Sequence, residues 1–279
     1  MQSHLNRNVL ILMYRFYLSP EQWRLPEPRL HDADAHHAIH VLRCEAGDTI
    51  VVFDGQGTEA VATITSFEKK KPLRATLSLG ACTQTPAPRC QVTLAQAVPK
   101  AKNMDLIIQK AVELGATRII PLLSERTILR CPDPRDASQK QERWQQIALE
   151  ACKQCGQSWL PRVEKPSLLQ NLFEMLSSQH DQLLLIASLE LEKKSLKEVL
   201  SSLLATSYEP TQVVIMIGPE GDFTPKEYAA AKHVGFQPIG LGPIILRTET
   251  AAIYCLSVLS YELLGYPFKA ADQTTDYSL

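Results

Sequence analysis

Two glycine-bearing segments of the chain combine residue types that can approach a small ligand and match its charge. In residues 217–227 a buried apolar strand ends at Gly218 and a helix follows. Residues 241–252 join another strand to another helix and place Arg247 beside Thr248. Glycine lets the backbone approach a ligand without an intervening Cβ. The free N–H groups of a helix start attract anions, and arginine adds a bidentate donor. Each segment is also compatible with an ordinary strand-to-helix turn.

Several other chemistries find no support in the sequence. Neither segment matches a G-x-G-x-x-G or P-loop pattern, and the chain has no G-x-S-x-G or H-E-x-x-H motif. Cys152 and Cys155 form the one close cysteine pair, within a helical pattern that has no second pair. His36 and His40 could share a helix face, but no acidic ligand is placed beside them. We therefore expect no metal site.

Composition indicates a soluble globular protein. Apolar residues make up 45% of the chain and charged residues 21%, which argues against a disordered chain. Seven scattered cysteines favour a reducing cytoplasm, and no run of 18 apolar residues predicts a membrane span. The net charge of −1 excludes a uniformly basic nucleic-acid coat protein. Residues 1–145 nevertheless carry 19 Lys and Arg against 15 Asp and Glu, so a polyanion would be held mainly by this half.

The first part of the chain predicts a small β-barrel followed by a linker. Met13 is expected to begin the domain, after an upstream extension. Apolar and alternating residues predict strands over 49–53, 59–67 and 73–79, and residues 34–44 predict one helix. Residues 83–89 are polar and contain two prolines, as expected of a linker.

The rest of the chain alternates strands and helices, which is typical of an α/β fold with a parallel sheet. Ligands of such sheets bind at the carboxyl ends of the strands. Predicted strands cover 92–97, 118–122, 183–187, 213–217 and 238–240. Predicted helices cover 104–114, 138–155, 225–234 and 249–264.

Residues 218–223 (Gly-Pro-Glu-Gly-Asp-Phe) and 241–251 (Leu-Gly-Pro-Ile-Ile-Leu-Arg-Thr-Glu-Thr-Ala) together resemble the RsmE family. That family methylates N3 of a uridine in 16S (small-subunit) ribosomal RNA, using S-adenosylmethionine. The resemblance extends over residues 13–264. It implies a PUA-like RNA-binding β-barrel over 13–82 and a SPOUT methyltransferase domain with a deep trefoil knot over 90–270. It also implies a cytoplasmic homodimer.

The resemblance also implies which residues act in each role. The cofactor is expected to contact Leu189, Gly218, Pro219, Glu220, Gly221, Leu241, Gly242, Ile245, Leu246, Arg247 and Thr248. Uracil N3 must lose a proton, so Glu249 and Glu220 are candidate bases and Arg247 a candidate stabiliser of the uracil anion. Arg247 and the helix start could instead receive the methionine carboxylate or an RNA phosphate. Expected RNA contacts are Arg15, Arg43, Lys100, Lys102, Arg126 and Arg130.

Two alternatives remain open at this point. One is a SPOUT methyltransferase acting on another base or on a ribose, and the other is a non-catalytic RNA-binding module for ribosome assembly. The chain departs from the family pattern at Asp222, where a second glycine is usual, and at Pro243 and Gln157, where basic residues are usual. Asp222 bears on the shape of the first loop. Pro243 and Gln157 remove possible RNA or ligand contacts.

Overall fold

The computed structural model of the chain describes residues 14–68, 70–100, 103–128, 133–177, 182–190, 193–205 and 210–264. Met13, Lys102 and Arg130, for which predictions were made, lie outside these ranges. Within them, no helix is both long enough and apolar enough to cross a membrane.

The first domain is a five-stranded sheet curled into a half-barrel. Its strands are β1 (Arg15–Tyr17), β2 (Arg29–His31), β3 (Thr49–Phe53), β4 (Thr58–Glu68) and β5 (Arg74–Gln84). They lie in the order β1-β3-β4-β5-β2, with only β1 and β3 parallel. Alternate residues such as Phe16, Ile50 and Ile64 fill its core. In the described chain β1 and β2 are the edges of the sheet, so the expected barrel is open along this line.

Two short helices cover this sheet. Helix α1 is Pro20–Trp23 and α2 is Asp32–His36, and a π-helical turn, His37–Val41, continues α2. The single helix predicted over 34–44 therefore begins two residues earlier and ends three residues earlier. Arg43 has a left-handed backbone (φ 56°), which a right-handed helix cannot include.

The second domain is built on an eight-stranded parallel sheet. Its strands are β6 (Gln91–Ala97), β7 (Arg118–Leu123), β8 (Arg162–Val163), β9 (Ser167–Leu168), β10 (Leu183–Ala187), β11 (Lys194–Ser195), β12 (Gln212–Ile217) and β13 (Gln237–Gly240). They lie in the order β11-β13-β10-β12-β6-β7-β8, with β9 also paired to β7. The carboxyl ends of β10, β12 and β6, which are neighbours, therefore meet at one edge of the sheet.

Helices pack on both faces of this sheet, as expected of an α/β fold. They are α3 (Asn103–Glu113), α4 (Pro134–Cys155), α5 (Leu169–Ser177), α6 (Leu196–Ala205), α7 (Pro225–Val234) and α8 (Thr248–Leu259), with a π-helical turn at Ser260–Leu264. One apolar core includes Ile107, Ala148 and Leu256, from α3, α4 and α8. A separate core includes Leu172 and Tyr228, from α5 and α7. The trefoil knot stays a prediction, because strand order alone does not define how the chain threads a loop.

The segment 157–160 joins the two domains by backbone hydrogen bonds. Gly57 N donates to Ser158 O at 3.0 Å, and Leu160 N donates to Gly55 O at 3.0 Å. The indole N–H of Trp159 lies 3.1 Å from the carbonyl oxygens of both Thr85 and Pro86. The predicted linker thus starts at residue 85, since β5 runs to residue 84, and its first residues are held by the second domain.

Buried polar contacts reinforce this interface. Arg15 pairs with Glu59 at 3.1 Å, and their side chains are only 5% and 10% exposed. Ser158 hydrogen-bonds to both side chains, and the Arg15 guanidinium lies 5.1 Å from the centre of the Phe53 ring. The expected RNA contact at Arg15 is therefore corrected, because this guanidinium is enclosed between the two domains.

Candidate functional site

The two glycine-bearing segments of the sequence meet in one cleft at the carboxyl edge of the parallel sheet. The cleft has a volume of about 270 Å³ and lies between the ends of β10, β12 and β13 and the start of α8. Ten of the residues expected to contact the cofactor line it: Leu189, Gly218, Pro219, Glu220, Leu241, Gly242, Ile245, Leu246, Arg247 and Thr248. The structure thus brings together residues from three distant parts of the sequence.

Gly221 is the expected cofactor residue that does not line the cleft. Its carbonyl oxygen accepts a hydrogen bond of 2.6 Å from Arg126 Nη1, which also lies 3.5 Å from Phe223 O. Arg126, expected to contact RNA, therefore ties the turn after β7 to the loop after β12. Within the described chain, its guanidinium is at least partly committed to the protein backbone.

A hydrogen-bonded chain connects two strand ends and a helix start beside the cleft. The Thr248 hydroxyl donates to Gly218 O at 2.7 Å and accepts from Gln96 Nε2 at 3.0 Å. Gln96 is fully buried and also donates to Ala97 O at 2.9 Å. The ends of β6 and β12 and the start of α8 are thereby fixed relative to each other, which holds Gly218 and Thr248 together in the wall of the cleft.

The loop after β12 contains a residue in the left-handed region. Asp222 has φ 60°, a conformation in which asparagine and aspartate are better tolerated than most residues with a Cβ. Its Oδ1 accepts from Phe223 N at 2.9 Å and lies 2.7 Å from the Tyr228 hydroxyl. Burial, together with Asp222, raises the pKa of Tyr228 well above its ordinary range, so this hydroxyl stays protonated. The departure from glycine at this position therefore leaves the turn intact.

The two candidate bases contact neighbouring residues, one in the turn between β6 and α3 and the other at the start of α3. Glu220 Oε1 accepts from Lys100 N at 2.9 Å, and Glu249 Oε2 lies 3.4 Å from Asn103 Nδ2. Arg247 is exposed, and its side chain makes no hydrogen bond or ion pair with any described residue, whereas its backbone oxygen accepts from Ala251 N at 2.8 Å. Both carboxylates and this guanidinium thus stand at the carboxyl edge of the sheet, with the guanidinium available to a ligand.

The cleft offers separate chemistries to a ligand. Apolar side chains of Leu189, Leu241 and Leu246 line it, and those of Ile244 and Ile245 are 70% and 79% exposed. It also contains acidic groups, Glu220 and Asp222, and basic groups, Lys193 and Arg247. This combination suits a ligand with a flat apolar part and charges of both signs. In the residues described, no group of His, Cys, Asp and Glu side chains could hold a metal ion.

Several residues of the site were not singled out by the sequence. Ser188, Lys193 and Ile244 line the cleft, while Gln96 and Tyr228 support it from below. A single glutamine at the end of a strand, or a tyrosine inside a helix, carries no pattern that distinguishes it. Ser188 follows β10 and Lys193 precedes β11. In the sequence, only their closeness to Leu189 could have indicated that they belong to the site.

The remaining predicted RNA contacts are distributed over both domains. Arg43 and Lys100 are both exposed. Arg43 follows the π-helical turn that continues α2, and Lys100 lies beside the cleft, where its N–H donates to Glu220. Pro243, where a basic residue is usual, is exposed near the cleft, and Gln157 lies in the domain junction.

Comparison with known proteins agrees with this arrangement. Residues 85–260 match the model of an RNA methyltransferase domain, and residues 30–76 match that of an RNA methyltransferase PUA domain. The fold and the cleft are thus those of an RNA methyltransferase with a parallel α/β domain and a PUA-like domain.

Individual relatives narrow the class to one family. "Ribosomal RNA small subunit methyltransferase E" of Synechocystis sp. is 34% identical, covering 90% of this chain and 78% of that protein. Its namesake from Bacillus subtilis is 30% identical over 90% of this chain and 97% of that protein. A crystal structure of the Neisseria gonorrhoeae protein of this name, bound to S-adenosyl methionine, is 31% identical with a TM-score of 0.75, covering 90% and 98% of the two chains. The chain belongs to the ribosomal RNA small subunit methyltransferase E family, RsmE, which confirms the resemblance found in the sequence.

Proposed function

We propose that this protein methylates N3 of a uridine in small-subunit ribosomal RNA, using S-adenosylmethionine. The observation that carries the proposal is the convergence of residues 218–223 and 241–251, the two family motifs, on one cleft. The chain belongs to a family whose relatives are named for this RNA, and one relative was solved with this methyl donor. A ribosomal RNA substrate supports the cytoplasmic location that we propose for the protein.

The residues of the cleft fit S-adenosylmethionine. This compound supplies a methyl group activated by its positively charged sulfonium. Leu189, Leu241 and Leu246 would cover its adenine, and the backbone at Gly218 and Gly242 would approach its polar groups. Gly242 has φ 122°, a conformation that side chains with a Cβ rarely adopt. Arg247 and the start of α8 would receive its carboxylate, or else an RNA phosphate.

Proton removal from N3 of uracil would fall to Glu220, which lines the cleft, or to Glu249, which follows Thr248 at the start of α8. Glu249 is the stronger candidate, because its one hydrogen bond in the described chain is long, at 3.4 Å, whereas Glu220 accepts a backbone N–H at 2.9 Å. Arg247 would stabilise the uracil anion. We expect Glu249→Gln to lower kcat by about a hundredfold or more while leaving the Kd of the cofactor unchanged. An unchanged kcat would reject Glu249 as the base. Glu220→Gln tests the other candidate base in the same way.

The RNA would be held by the exposed basic residues Arg43 and Lys100, with Lys102 and Arg130 also expected to take part. Each phosphate contact contributes to the salt dependence of binding. Replacing Arg43 or Lys100 by Gln should lower the slope of log affinity against log salt by about one. Arg126→Gln distinguishes an RNA contact from support of the loop 218–223. If Arg126 only supports the loop, the variant should leave the salt slope unchanged and weaken cofactor binding instead.

We further propose that the protein is a homodimer with RNA-binding and methyltransferase domains over residues 13–82 and 90–270. Large apolar side chains are exposed on α3, α8 and the last π-helical turn, namely Leu106, Tyr254 and Tyr261. Such exposure on packed helices is typical of an interface. Light scattering coupled to size exclusion tests this part, and a monomeric mass would reject it.

The function is tested by mapping modified nucleosides in ribosomal RNA from strains with and without the gene. The expected result is the loss of one N3-methyluridine from the small-subunit RNA, restored by the purified protein and cofactor. A different lost methyl would assign another specificity. Retained modification, together with no cofactor binding in calorimetry, would identify a non-catalytic RNA-binding module instead.

A further inference from the structure

The loop 218–223 is supported by a pair of side chains that the proposed chemistry does not use, Asp222 and Tyr228. Asp222 is in the left-handed region, with φ 60°. A residue with a Cβ is unfavourable in this conformation and persists there only where surrounding contacts compensate. The loop therefore needs contacts that hold Asp222 in place.

Those contacts come from α7. Asp222 Oδ1 lies 2.7 Å from the hydroxyl of Tyr228, a residue that is 3% exposed. The same hydroxyl lies 3.1 Å from Ala187 O, at the end of β10. One hydroxyl proton serves one acceptor at a time, and the shorter distance and the charge assign it to the carboxylate. The pair thus ties the loop after β12 to α7, with the Tyr228 hydroxyl beside the end of β10.

The carboxylate also determines the space behind Gly218. A Cβ built on Gly218 would lie 3.0 Å from Asp222 Oδ1 and 3.3 Å from the Phe223 ring. Ala187, Gly218 and Asp222 all line the cleft. The position of the carboxylate therefore affects the shape of the cleft beside Gly218.

We infer that Asp222 and Tyr228 are positioning residues that hold the loop 218–223 in the shape that accepts S-adenosylmethionine. Their hydrogen bond replaces the conformational freedom that a glycine would provide at position 222. The inference rests on the proposed function, because it concerns the binding of that cofactor. It predicts that Tyr228 is required only while position 222 carries a Cβ.

The test is calorimetric titration of the full chain with S-adenosylmethionine. Asp222→Ala and Tyr228→Phe should each raise the Kd by about tenfold, as loss of a hydrogen bond to a charged group predicts. Asp222→Asn should stay within about threefold of the wild type, since asparagine tolerates this conformation and its amide oxygen accepts the same bond. The Kd of the double variant Asp222→Gly/Tyr228→Phe should also lie within about threefold of the wild-type Kd, because glycine adopts this backbone conformation without a supporting contact.

Kinetics and matched controls separate positioning from general stability. The KM for the cofactor should rise in Tyr228→Phe while the KM for RNA and the kcat at saturation stay unchanged. Tyr14→Phe, at a tyrosine that is 52% exposed and lies in the first domain, is the matched control and should change neither quantity. Thermal unfolding of each variant shows whether the fold is retained.

The outcomes distinguish this inference from the proposed function. A wild type that does not bind S-adenosylmethionine rejects the proposed function. A wild type that binds, with Asp222→Ala and Tyr228→Phe equal to it, rejects the positioning pair. If Asp222→Ala fails to fold, the double variant Asp222→Gly/Tyr228→Phe decides instead. The positioning pair is rejected if this variant binds S-adenosylmethionine no more tightly than Tyr228→Phe alone.

Discussion

The Thr248 hydroxyl is the residue-scale link between the two halves of the cleft. It donates to Gly218 O and accepts from buried Gln96, so Thr248→Val would leave both groups without this partner. Unpaired buried polar groups cost about 1–3 kcal/mol each. We expect Thr248→Val to lower the free energy of unfolding by about 2 kcal/mol and to weaken cofactor binding. Urea unfolding and calorimetric titration measure the two effects.

Thr248→Ser is the control for this prediction, because it keeps the hydroxyl and removes only a methyl group. It should retain cofactor binding and most of the stability. Equal behaviour of the Val and Ser variants would show that the hydroxyl does not connect the strand ends.

At the scale of single residues, the sequence predicted which motif residues line the cleft better than it predicted the roles of charged side chains. Gly218, Leu246 and Thr248 occupy motif positions, and the structure brings them into one cleft. Arg15 and Arg126 carry the same charge as an RNA-contacting arginine, yet one pairs with Glu59 and the other binds carbonyl oxygens. Partners 44 and 95 residues away in sequence determine these roles, and no local pattern reports them.

The loop 218–223 provides a prediction at the scale of one element. A Cβ on Gly218 would meet Asp222 Oδ1 at 3.0 Å, whereas a Cβ on Gly221 would meet Arg126 Cδ at 3.4 Å, an ordinary contact. We expect Gly218→Ala to weaken cofactor binding by about tenfold and Gly221→Ala to leave it within about twofold. Calorimetric titration compares the two, and equal losses would contradict the geometry.

Elements with strong patterns were predicted well and short ones were not. The strand Leu183–Ala187 and the helix Pro225–Val234 have the predicted bounds, because a continuous apolar run and a capping box mark them. Helix α4 starts four residues earlier than predicted, at Pro134, where Asp133 caps it. Strands β8, β9 and β11 have two residues each, too few for any period. Helices α5 and α6 were not predicted despite their apolar faces. For α6 the sequence did offer a signal, because Ser195 and Glu198 form a capping box at its start.

The buried pair Arg15–Glu59 provides a prediction for the whole molecule, since it lies at the junction of the domains. Arg15→Met leaves the Glu59 carboxylate enclosed without its cation, which costs about 3–5 kcal/mol. The double variant Arg15→Met/Glu59→Leu removes the stranded charge and should recover most of this loss. Urea unfolding measures both, and a double variant as unstable as Arg15→Met would contradict the role of the charge.

A second ion pair across the junction predicts a pH dependence. Lys153 lies 2.8 Å from Asp34. Burial lowers the pKa of Lys153, but Asp34 and Glu150 outweigh it, so the pKa is raised above 10.5. Its stabilisation is therefore complete below the unfolded-state value and is lost as the pH rises through the folded-state pKa.

Lys153→Met should consequently be less stable than the wild type by about 1–2 kcal/mol at neutral pH. The difference should narrow above the folded-state pKa, where the wild-type lysine is neutral as well. Thermal unfolding of both proteins across the alkaline range measures it. A difference that does not change with pH would mean that lost packing, rather than charge, causes it.

The contact of Trp159 with the carbonyl oxygens of Thr85 and Pro86 has a consequence for how a substrate is chosen. Because the first residues of the linker are held by hydrogen bonds, the linker restricts the rotation of one domain relative to the other. The first domain and the cleft should therefore keep a constant separation. If the first domain binds RNA as proposed, we expect the protein to select a nucleotide by its distance from the bound RNA segment.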